Sequence, residues 1–309
     1  MGLGALIQAA LALAATPAPA PPPPPDDLAG LTARQKAALV VVSGLPAPKG
    51  VAGVLVRRWN RTDRRPVQAL VFVDQEGRGV RTYPALPPEE DARAYMSARG
   101  AAAAGRRTGR ALRAAGVHVD LAPVLDLDSG PLGPRHFTSP ELGLAFGRGL
   151  EAGGTTACPK HFPGLGSAPI STDDDQLVPA RVLPAELRAF RAAIRAGASC
   201  VMVGHAAYER FGGRRALTVP GTYRLLRRMG FEGVAITDSL GIAGGPWPVK
   251  WAREAARAGA DLLLFTSGDD ARRAIPALVP LARRGVLDDA VRRVLRLRRA
   301  HGVRARPDW

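Results

Sequence analysis

SCVMVGHAAYERFGGRRALTVPGTYRLLRRMGFEGVAITD, at residues 199–238, reads as a strand, a helix and a second strand. Its two ends, SCVMVGH and GVAITD, are short apolar runs typical of buried strands, and the segment at 219–229 is typical of a helix. This order predicts two parallel strands joined by a crossover helix. Each run also ends in an ionisable side chain, His205 in the first and Asp238 in the second.

The same alternation continues on both sides of this unit. Eight apolar runs occur: LVVVSG (39–44), VAGVLV (51–56), ALVFVD (69–74), VHVDLAPVLD (117–126), TACPKHF (156–162), SCVMVGH (199–205), GVAITD (233–238) and DLLLFTS (261–267). Helical stretches lie between or after them, at 89–115, 139–153, 184–197, 219–229, 247–259, 269–284 and 287–301. The pattern predicts an α/β fold, a single-domain (β/α)8 TIM-type barrel, and the alternative is a doubly wound parallel sheet.

The first residues predict a targeting segment ahead of this domain. Residues 1–16 carry an Ala/Leu-rich stretch that is too short to cross a bilayer but suits a secretory signal. The Pro-rich segment at 17–27 favours an extended linker, which leaves the barrel domain at 28–309. We therefore expect an exported protein, extracellular or associated with the cell envelope, with a cytoplasmic location as the alternative.

Composition limits the classes of partner. Hydrophobic residues make up 46% of the 309, which excludes a wholly disordered chain. The formal net charge is +16, but the arginines are spread along the whole sequence, so solvated helix faces explain the charge and no nucleic-acid partner is expected. The Arg-rich C-terminal helix at 292–307 is either a solvated amphipathic helix or a contact with an anionic cell surface. We expect a monomer.

Two cysteines, Cys158 and Cys200, are too few for a disulfide scaffold and lack metal-binding spacing. Buried thiols are the expected state. A disulfide between the two neighbouring predicted strands is the alternative.

Polar side chains collect at the carboxyl ends of the predicted strands: Asp74, Asp126, Lys160, His161, His205, Asp238 and Ser267. In a barrel these ends form one rim, where active sites lie, and Arg135 in a nearby loop joins them. Such a mixture of donors and acceptors suits a neutral polyhydroxylated ligand. No phosphate-binding loop and no two-histidine metal motif occurs, so phosphoryl transfer and zinc-dependent hydrolysis are not expected.

A sugar ligand gives two of the acidic positions a chemical role. Cleavage of a glycosidic bond needs a carboxylate on one side of the anomeric carbon and a proton donor on the other. Asp238 is the best-placed nucleophile, and capping of the following helix is its structural alternative. The acidic tract STDDD at 171–175 either brings carboxylates over the same rim or forms a solvated loop.

Five regions of the chain together resemble glycoside hydrolase family 3, in its single-domain β-N-acetylhexosaminidase branch: VDQEGRGV (73–80), DLAPVLDL (120–127) with GPRHF (133–137), CPKHFPGLG (158–166), CVMVGHAAY (200–208) and MGFEGVAITDSLGI (229–242). The resemblance implies a (β/α)8 barrel without metal or organic cofactor. It also implies retaining hydrolysis of terminal β-linked N-acetylglucosamine through a covalent glycosyl-enzyme, with a carbohydrate such as a cell-wall fragment as substrate.

The resemblance assigns residues as well. Asp238 matches the nucleophile, and four positions match residues that hold the terminal sugar: Asp74, Arg135, Lys160 and His161. An Asp-Ser-His pattern that supplies the family's acid/base dyad corresponds here to Asp173-Asp174-Asp175. Asp173 therefore keeps the dyad aspartate, and Asp175 stands in place of the histidine as an altered acid/base. Absence of a proton donor is the alternative.

Other departures leave further alternatives open. The family's sugar-binding arginine matches Thr82, and Arg81 or Arg78 is expected to substitute for it. His205 is expected either to line the pocket and orient the nucleophile or to be a core histidine, whereas Asp126 and Glu76 are expected to tie strand ends through backbone amides. The alternatives at the level of function are a weak or inactive glycan-binding barrel and a β-glucosidase.

Overall fold

The computed structural model describes residues 27–175, 177–241 and 247–304. The predicted signal segment at 1–16, nearly all of the predicted linker and the end of the predicted tail at 305–307 lie outside these ranges. Within them, no helix has the length and apolar character needed to cross a membrane.

Eight strands fall inside the eight predicted runs: β1 Val41–Ser43, β2 Gly53–Leu55, β3 Leu70–Val73, β4 Val119–Asp120, β5 Thr156–Ala157, β6 Cys200–Val203, β7 Val234–Thr237 and β8 Leu263–Phe265. Six form a parallel sheet in the order β8-β1-β2-β3-β4-β5, and β6 pairs in parallel with β7. Single parallel bridges join Phe162 to Val203 and Ile236 to Leu262. The prediction of an α/β fold with a mostly parallel sheet is confirmed.

One helix precedes β1, and β3 to β8 are each followed by a helix, with two after β8: α1 Ala33–Ala38, α2 Ala98–Ala114, α3 Pro140–Ala152, α4 Pro184–Arg195, α5 Pro220–Arg228, α6 Pro248–Ala258, α7 Gly268–Arg283 and α8 Asp288–Ala300. All but α1 coincide with a predicted helical stretch. Loops carry further short strands, with Gln75–Gly77 antiparallel to Val80–Arg81 directly after β3. A second small sheet joins Pro179–Ala180, Ala207–Tyr208 and Arg214–Arg215.

Apolar side chains cover both faces of the sheet. Leu70 and Phe72 of β3 belong to one buried cluster, which gathers residues from all eight strand regions. Val71 and Val73 of the same strand belong to a larger cluster shared with the helices. Alternate residues of a strand point to opposite faces, so two buried faces explain why the runs are continuously apolar.

Cys158 and Cys200 form a disulfide with their Cα atoms 4.6 Å apart, so the expectation of buried thiols was wrong. The pairing follows from strand adjacency, because the Met202 amide donates a hydrogen bond to the Pro159 carbonyl at 2.9 Å. Both cysteines are fully buried. The disulfide thus joins the segment that carries Lys160 covalently to β6.

Two arginines of helix α8 form hydrogen bonds or ion pairs inside the fold. Arg298 is fully buried and donates hydrogen bonds to the carbonyls of Ala52 at 2.7 Å and Gln68 at 2.7 Å. Arg293 pairs with Asp261, whereas Arg296 is exposed. The buried guanidinium therefore satisfies loop carbonyls at the amino ends of β2 and β3.

Arg298→Met is expected to lower the free energy of unfolding by about 2–4 kcal/mol, because the carbonyls of Ala52 and Gln68 each lose a charged donor. Arg296→Met on the same helix is the matched control and is expected to change it by less than about 0.5 kcal/mol. Urea denaturation of the three proteins measures the difference. Equal losses for the two variants would show that Arg298 contributes only charge.

Candidate active site

A cavity of about 240 Å³ opens where the carboxyl ends of the strands meet. Its wall contains six residues that the sequence predicted for catalysis or sugar binding: Asp74, Arg135, Lys160, His161, Asp173 and Asp238. Parallel strands bring their carboxyl ends to the same edge, which explains how residues so distant in sequence converge.

A charged cluster forms one side of the cavity. The ammonium of Lys160 lies 2.8 Å from Asp74 Oδ1 and 2.6 Å from Glu76 Oε1. Glu76 also accepts two hydrogen bonds from the Arg135 guanidinium, at 2.7 and 2.9 Å. Two cations and two carboxylates thus balance within one hydrogen-bonded group, which offers donors and acceptors to sugar hydroxyls.

Electrostatics keep this cluster charged. Burial alone raises the pKa of Glu76, but the cations of Arg135 and Lys160 outweigh it and lower that pKa to about 2. Burial lowers the pKa of Lys160, but Asp74 and Glu76 outweigh it and hold the pKa above its ordinary value. Glu76 therefore lines the cavity as an ionised group. The sequence-based expectation was that Glu76 ties strand ends through backbone amides, and it did not include a place in the cavity wall.

Asp126 fixes the position of His161 through hydrogen bonds. One carboxylate oxygen of Asp126 accepts hydrogen bonds from the amides of His161 at 3.0 Å and Leu165 at 2.9 Å. The other lies 2.7 Å from His161 Nδ1. Burial raises the pKa of Asp126, but His161 and the amide donors outweigh burial and hold that pKa below its ordinary value, so Asp126 is ionised. Its carboxylate therefore accepts a hydrogen bond from the Nδ1–H of His161, which fixes the orientation of the ring. The expectation that Asp126 bonds to backbone amides is confirmed.

Asp238 follows β7 at the cavity wall with its side chain 18% exposed. Oδ1 accepts a hydrogen bond from the Ser239 amide at 2.7 Å. Burial raises the pKa of Asp238, but nearby His205 and His161 and the Ser239 amide together hold it below its ordinary value. The residue does not cap the following helix, since α6 begins at Pro248 with Trp247 as its N-cap. Asp238 is thus an ionised carboxylate at the cavity.

His205 is buried behind Asp238 and is not part of the cavity wall. Its Nε2 lies 2.8 Å from the Ser239 carbonyl and 4.0 Å from Asp238 Oδ2. Because a carbonyl only accepts, Nε2 carries the hydrogen, and burial lowers the pKa of His205, which favours the neutral ring. His205 is therefore placed to hold the Asp238–Ser239 segment.

The acidic loop brings one aspartate to the cavity. Asp173 is exposed but is part of the wall, whereas Asp175 is exposed and is not, and the Oδ1 of Asp175 accepts a hydrogen bond from the Leu177 amide at 3.2 Å. Asp174 between them is also exposed. The structure thus places Asp173, rather than Asp175, next to the other predicted site residues.

Arginines at this end of the fold are divided between two cavities. Arg57, which no sequence motif indicates, lines the first cavity and also an adjoining second one. Arg81 lines only the second cavity. Thr82 is buried and donates a hydrogen bond to a backbone carbonyl. The signal for Arg57 was its position directly after the apolar run VAGVLV, at a strand's carboxyl end.

A buried carboxyl supports the loop that carries His161. Glu186 on α4 accepts hydrogen bonds from the amides of Gly166 at 2.6 Å and Leu127 at 3.2 Å. A Cβ atom at Gly164 would lie only 2.2 Å from its carboxyl carbon, so this contact requires glycine. Burial, together with the charge of Asp126, raises the pKa of Glu186 to about 8. Glu186 is therefore a neutral acid at pH 7.

An ionised aspartate at a cavity lined by hydrogen-bond donors and acceptors is an arrangement that a glycosidase uses. Within the described ranges, no three histidine, cysteine, aspartate or glutamate residues are grouped to hold a metal ion. The family model of the glycosyl hydrolase family 3 N terminal domain matches residues 53–297, and the chain belongs to this family.

Similar proteins carry related names. A β-hexosaminidase from Methylococcus capsulatus is 32% identical over 233 residues, which cover 67% of this chain and 69% of that protein. The structure of a β-N-acetylhexosaminidase from Beutenbergia cavernae has a TM-score of 0.75 at 27% identity, covering 88% of this chain and 99% of that one. A family 3 β-N-acetylglucosaminidase from Paenibacillus gives a TM-score of 0.79 at 26% identity and covers 88% of this chain; this chain spans 63% of it.

Glu186→Gln is expected to become more stable relative to the wild type as pH rises from about 5 to 8. The folded protein keeps the Glu186 proton up to about pH 8, whereas the unfolded chain releases it above its ordinary value of 4.5. Wild-type stability therefore falls by about 1.4 kcal/mol per pH unit through this window, and glutamine has no proton to lose.

Urea denaturation at pH 5, 6, 7 and 8 measures this effect. Glu232→Gln, at an exposed position, is the matched control. A stability difference between Glu186→Gln and the wild type that stays constant across these pH values would refute the assignment of a neutral Glu186.

Proposed function

We propose that this protein is a retaining β-N-acetylhexosaminidase that removes terminal β-linked N-acetylglucosamine from a carbohydrate such as a cell-wall fragment. The observation that carries the proposal is the ionised carboxylate of Asp238 at the wall of the cavity formed with Asp74, Arg135, Lys160 and His161. The names of the family 3 relatives support the choice of an amino sugar.

We infer further that the eight strands close into a (β/α)8 barrel. The parallel order of the six-stranded sheet ends at β8 on one side and β5 on the other. The bridges Phe162 to Val203 and Ile236 to Leu262 connect these two edges to the pair of β6 and β7. An unbroken circuit of parallel neighbours supports the barrel over the doubly wound alternative.

In this mechanism Asp238 attacks the anomeric carbon while the bond to the leaving oxygen breaks, and a proton passes to that oxygen. The hydrogen bond from the Ser239 amide fixes one oxygen of Asp238 and leaves the other, Oδ2, for attack. The cluster around Lys160 holds the sugar hydroxyls, with no cofactor required. Water then attacks the glycosyl-enzyme and gives its proton to the acid/base residue.

The acidic loop supplies the acid/base in this proposal. Asp175 is the position that matches the family's histidine, with Asp173 in support. Of the two, Asp173 is the one at the cavity wall, so we assign it the proton transfer and keep Asp175 as the competing position.

Asp238→Ala is expected to lower kcat on 2,4-dinitrophenyl N-acetyl-β-glucosaminide by about 10³-fold or more, because the nucleophile is removed. The matching glucoside tests for a β-glucosidase and should react far more slowly. A wild type inactive on both substrates would favour the glycan-binding alternative.

Asp173→Asn is expected to lower kcat/KM by about 10²–10⁴-fold on a substrate with a poor leaving group such as phenol. The loss should be much smaller with dinitrophenol, which departs with little protonation. Asp174→Asn is the control from the same loop. If Asp175→Asn shows this split instead, Asp175 is the acid/base.

We also propose that the protein is an exported monomer. The apolar leader supports export, and so does the buried disulfide, because disulfides persist in oxidising compartments. Exposed Arg296 on α8 is then available to an anionic cell surface. Fractionation of cells that express the full chain should place it outside the cytoplasm with its cysteines resistant to alkylation, and reduced cytoplasmic protein would argue against export.

A further inference from the structure

A large cavity lies at the amino ends of β7 and β8, at the edge of the sheet opposite the candidate active site. Its volume is about 540 Å³, and its wall is formed by α5 and α6, which lead into these strands, and by the start of α8. We call it the arginine cavity. The wall contains five arginines and two aspartates: Arg224, Arg227, Arg228, Arg257 and Arg293 with Asp261 and Asp289.

Two of these arginines are fixed by one buried aspartate. The side chain of Asp261 is 1% exposed, and its two oxygens pair with Arg227 and, at 3.0 Å, with Arg293. Arg227 also donates hydrogen bonds to the carbonyls of Phe231 at 2.9 Å and Gly233 at 2.8 Å. Because one carboxylate holds two guanidinium groups, the inner wall of the cavity is ordered and still carries a net positive charge.

The other three arginines point to a ligand from solvent. Arg224, Arg228 and Arg257 are exposed, and within the described ranges none of them forms an ion pair or a side-chain hydrogen bond. The second aspartate of the wall, Asp289, does not neutralise them, because it pairs with Arg292 of its own helix at 3.2 Å. Three accessible guanidinium groups at one cavity are thus free to bind an anion.

Electrostatics within the helices explain only part of this arrangement. Arg228 and Arg257 lie in the last turns of α5 and α6, where a cation is favourable even without a ligand. Arg224 lies one turn earlier on α5 and lines the same cavity. Burial lowers the pKa of Arg227, and the nearby cations Arg293 and Arg296 lower it as well, although Asp261 raises it. The potential at the cavity is therefore positive beyond what the helix ends require.

The chemistry of the wall selects the class of anion. Planar guanidinium groups bind the oxygens of phosphate groups in pairs, and this geometry is better matched by phosphate than by a halide. The cavity is also larger than the first one, at about 540 Å³ against about 240 Å³, so it has room for more than one phosphate group. Several phosphates in one ligand make use of arginines that come from different helices.

We propose that the arginine cavity binds a ligand that carries several phosphate groups, either a phosphodiester polymer or a free polyphosphate. Arg224, Arg228 and Arg257 contact the oxyanions, and the ordered pair of Arg227 and Arg293 adds positive potential at the inner wall. The cavity and the candidate active site lie at opposite edges of the sheet. Binding here therefore attaches the protein to an anionic polymer without blocking the first cavity, a property separate from the proposed hydrolysis.

Titration calorimetry of the full chain with inorganic tripolyphosphate tests this site. Binding is expected at low ionic strength, and its affinity should fall steeply with added salt, because several charges are paired at once. Orthophosphate is expected to bind about 10²-fold more weakly, since one phosphate reaches fewer arginines. A poly(glycerol phosphate) of three units identifies the source: tighter binding than tripolyphosphate indicates a phosphodiester polymer, and weaker binding a free polyphosphate.

Variants separate the cavity from the overall charge of the protein. Arg224→Gln, Arg228→Gln and Arg257→Gln are each expected to weaken tripolyphosphate binding by about 10-fold, as expected for loss of a charged hydrogen-bond donor. Arg228→Lys keeps the charge without the planar fork and should restore only part of the affinity. Arg191→Gln, at an exposed position of α4 outside the cavity, removes the same charge and should change the affinity by less than about 2-fold.

The outcome does not depend on hydrolytic activity. The three side chains are exposed, so a triple variant of Arg224, Arg228 and Arg257 to glutamine should fold, lose tripolyphosphate binding and keep the kcat/KM of the wild type on the dinitrophenyl substrate. If the wild type hydrolyses no glycoside, the proposed function fails, and calorimetry still decides the site. No binding of tripolyphosphate by the wild type, or an equal loss of affinity in Arg191→Gln, would overturn the proposal.

Discussion

The buried ammonium of Lys160 is the constraint around which the site is built. Its side chain is 2% exposed, and a charge in such a place is tolerated only when it is paired and hydrogen-bonded. Asp74 and Glu76 provide the pairing, and Arg135 balances the second carboxylate. Because the cluster is already desolvated and ordered, a hydroxyl of the proposed sugar substrate meets donors and acceptors that need no reorganisation, which is the condition for electrostatic catalysis.

The segment that follows β5 has to hold that ammonium and the His161 ring in register, and it is anchored in three different ways. The disulfide of Cys158 fixes its beginning, and the carboxylate of Asp126 fixes the ring and two amides. Neutral Glu186 supports its far end from α4. Asp126 is ionised and Glu186 is protonated, although both are buried acids. The difference arises because Asp126 faces an imidazole, whereas Glu186 faces only amides and the charge of Asp126.

The sequence predicted the parts that depend on local pattern. Eight apolar runs ending in polar residues were enough to locate the strands and the edge at which Asp74, Lys160 and Asp238 meet. Glu186 was not predicted, because in PAELRAF it has the pattern of a solvated helix residue, and only tertiary packing brings it under a glycine loop. The disulfide between Cys158 and Cys200 was left as an alternative for a different reason. The two predicted strands were expected to be neighbours, but a disulfide also requires an oxidising compartment, which a strand pattern does not determine.

The hairpin after β3 has an arginine one residue earlier than the resembling family does, at Arg81 instead of position 82. This difference concerns both the first and the second cavity. In the resembling family an arginine occupies the position of Thr82, which here is buried and bonds to the carbonyls of Val56 and Asp74 at 3.2 Å. Neither residue lines the first cavity, and Arg81 and Thr82 both line the second one. The wall of the first cavity therefore has Arg57 and Arg135 as its arginines, and Arg81 joins Arg57 in the wall of the second.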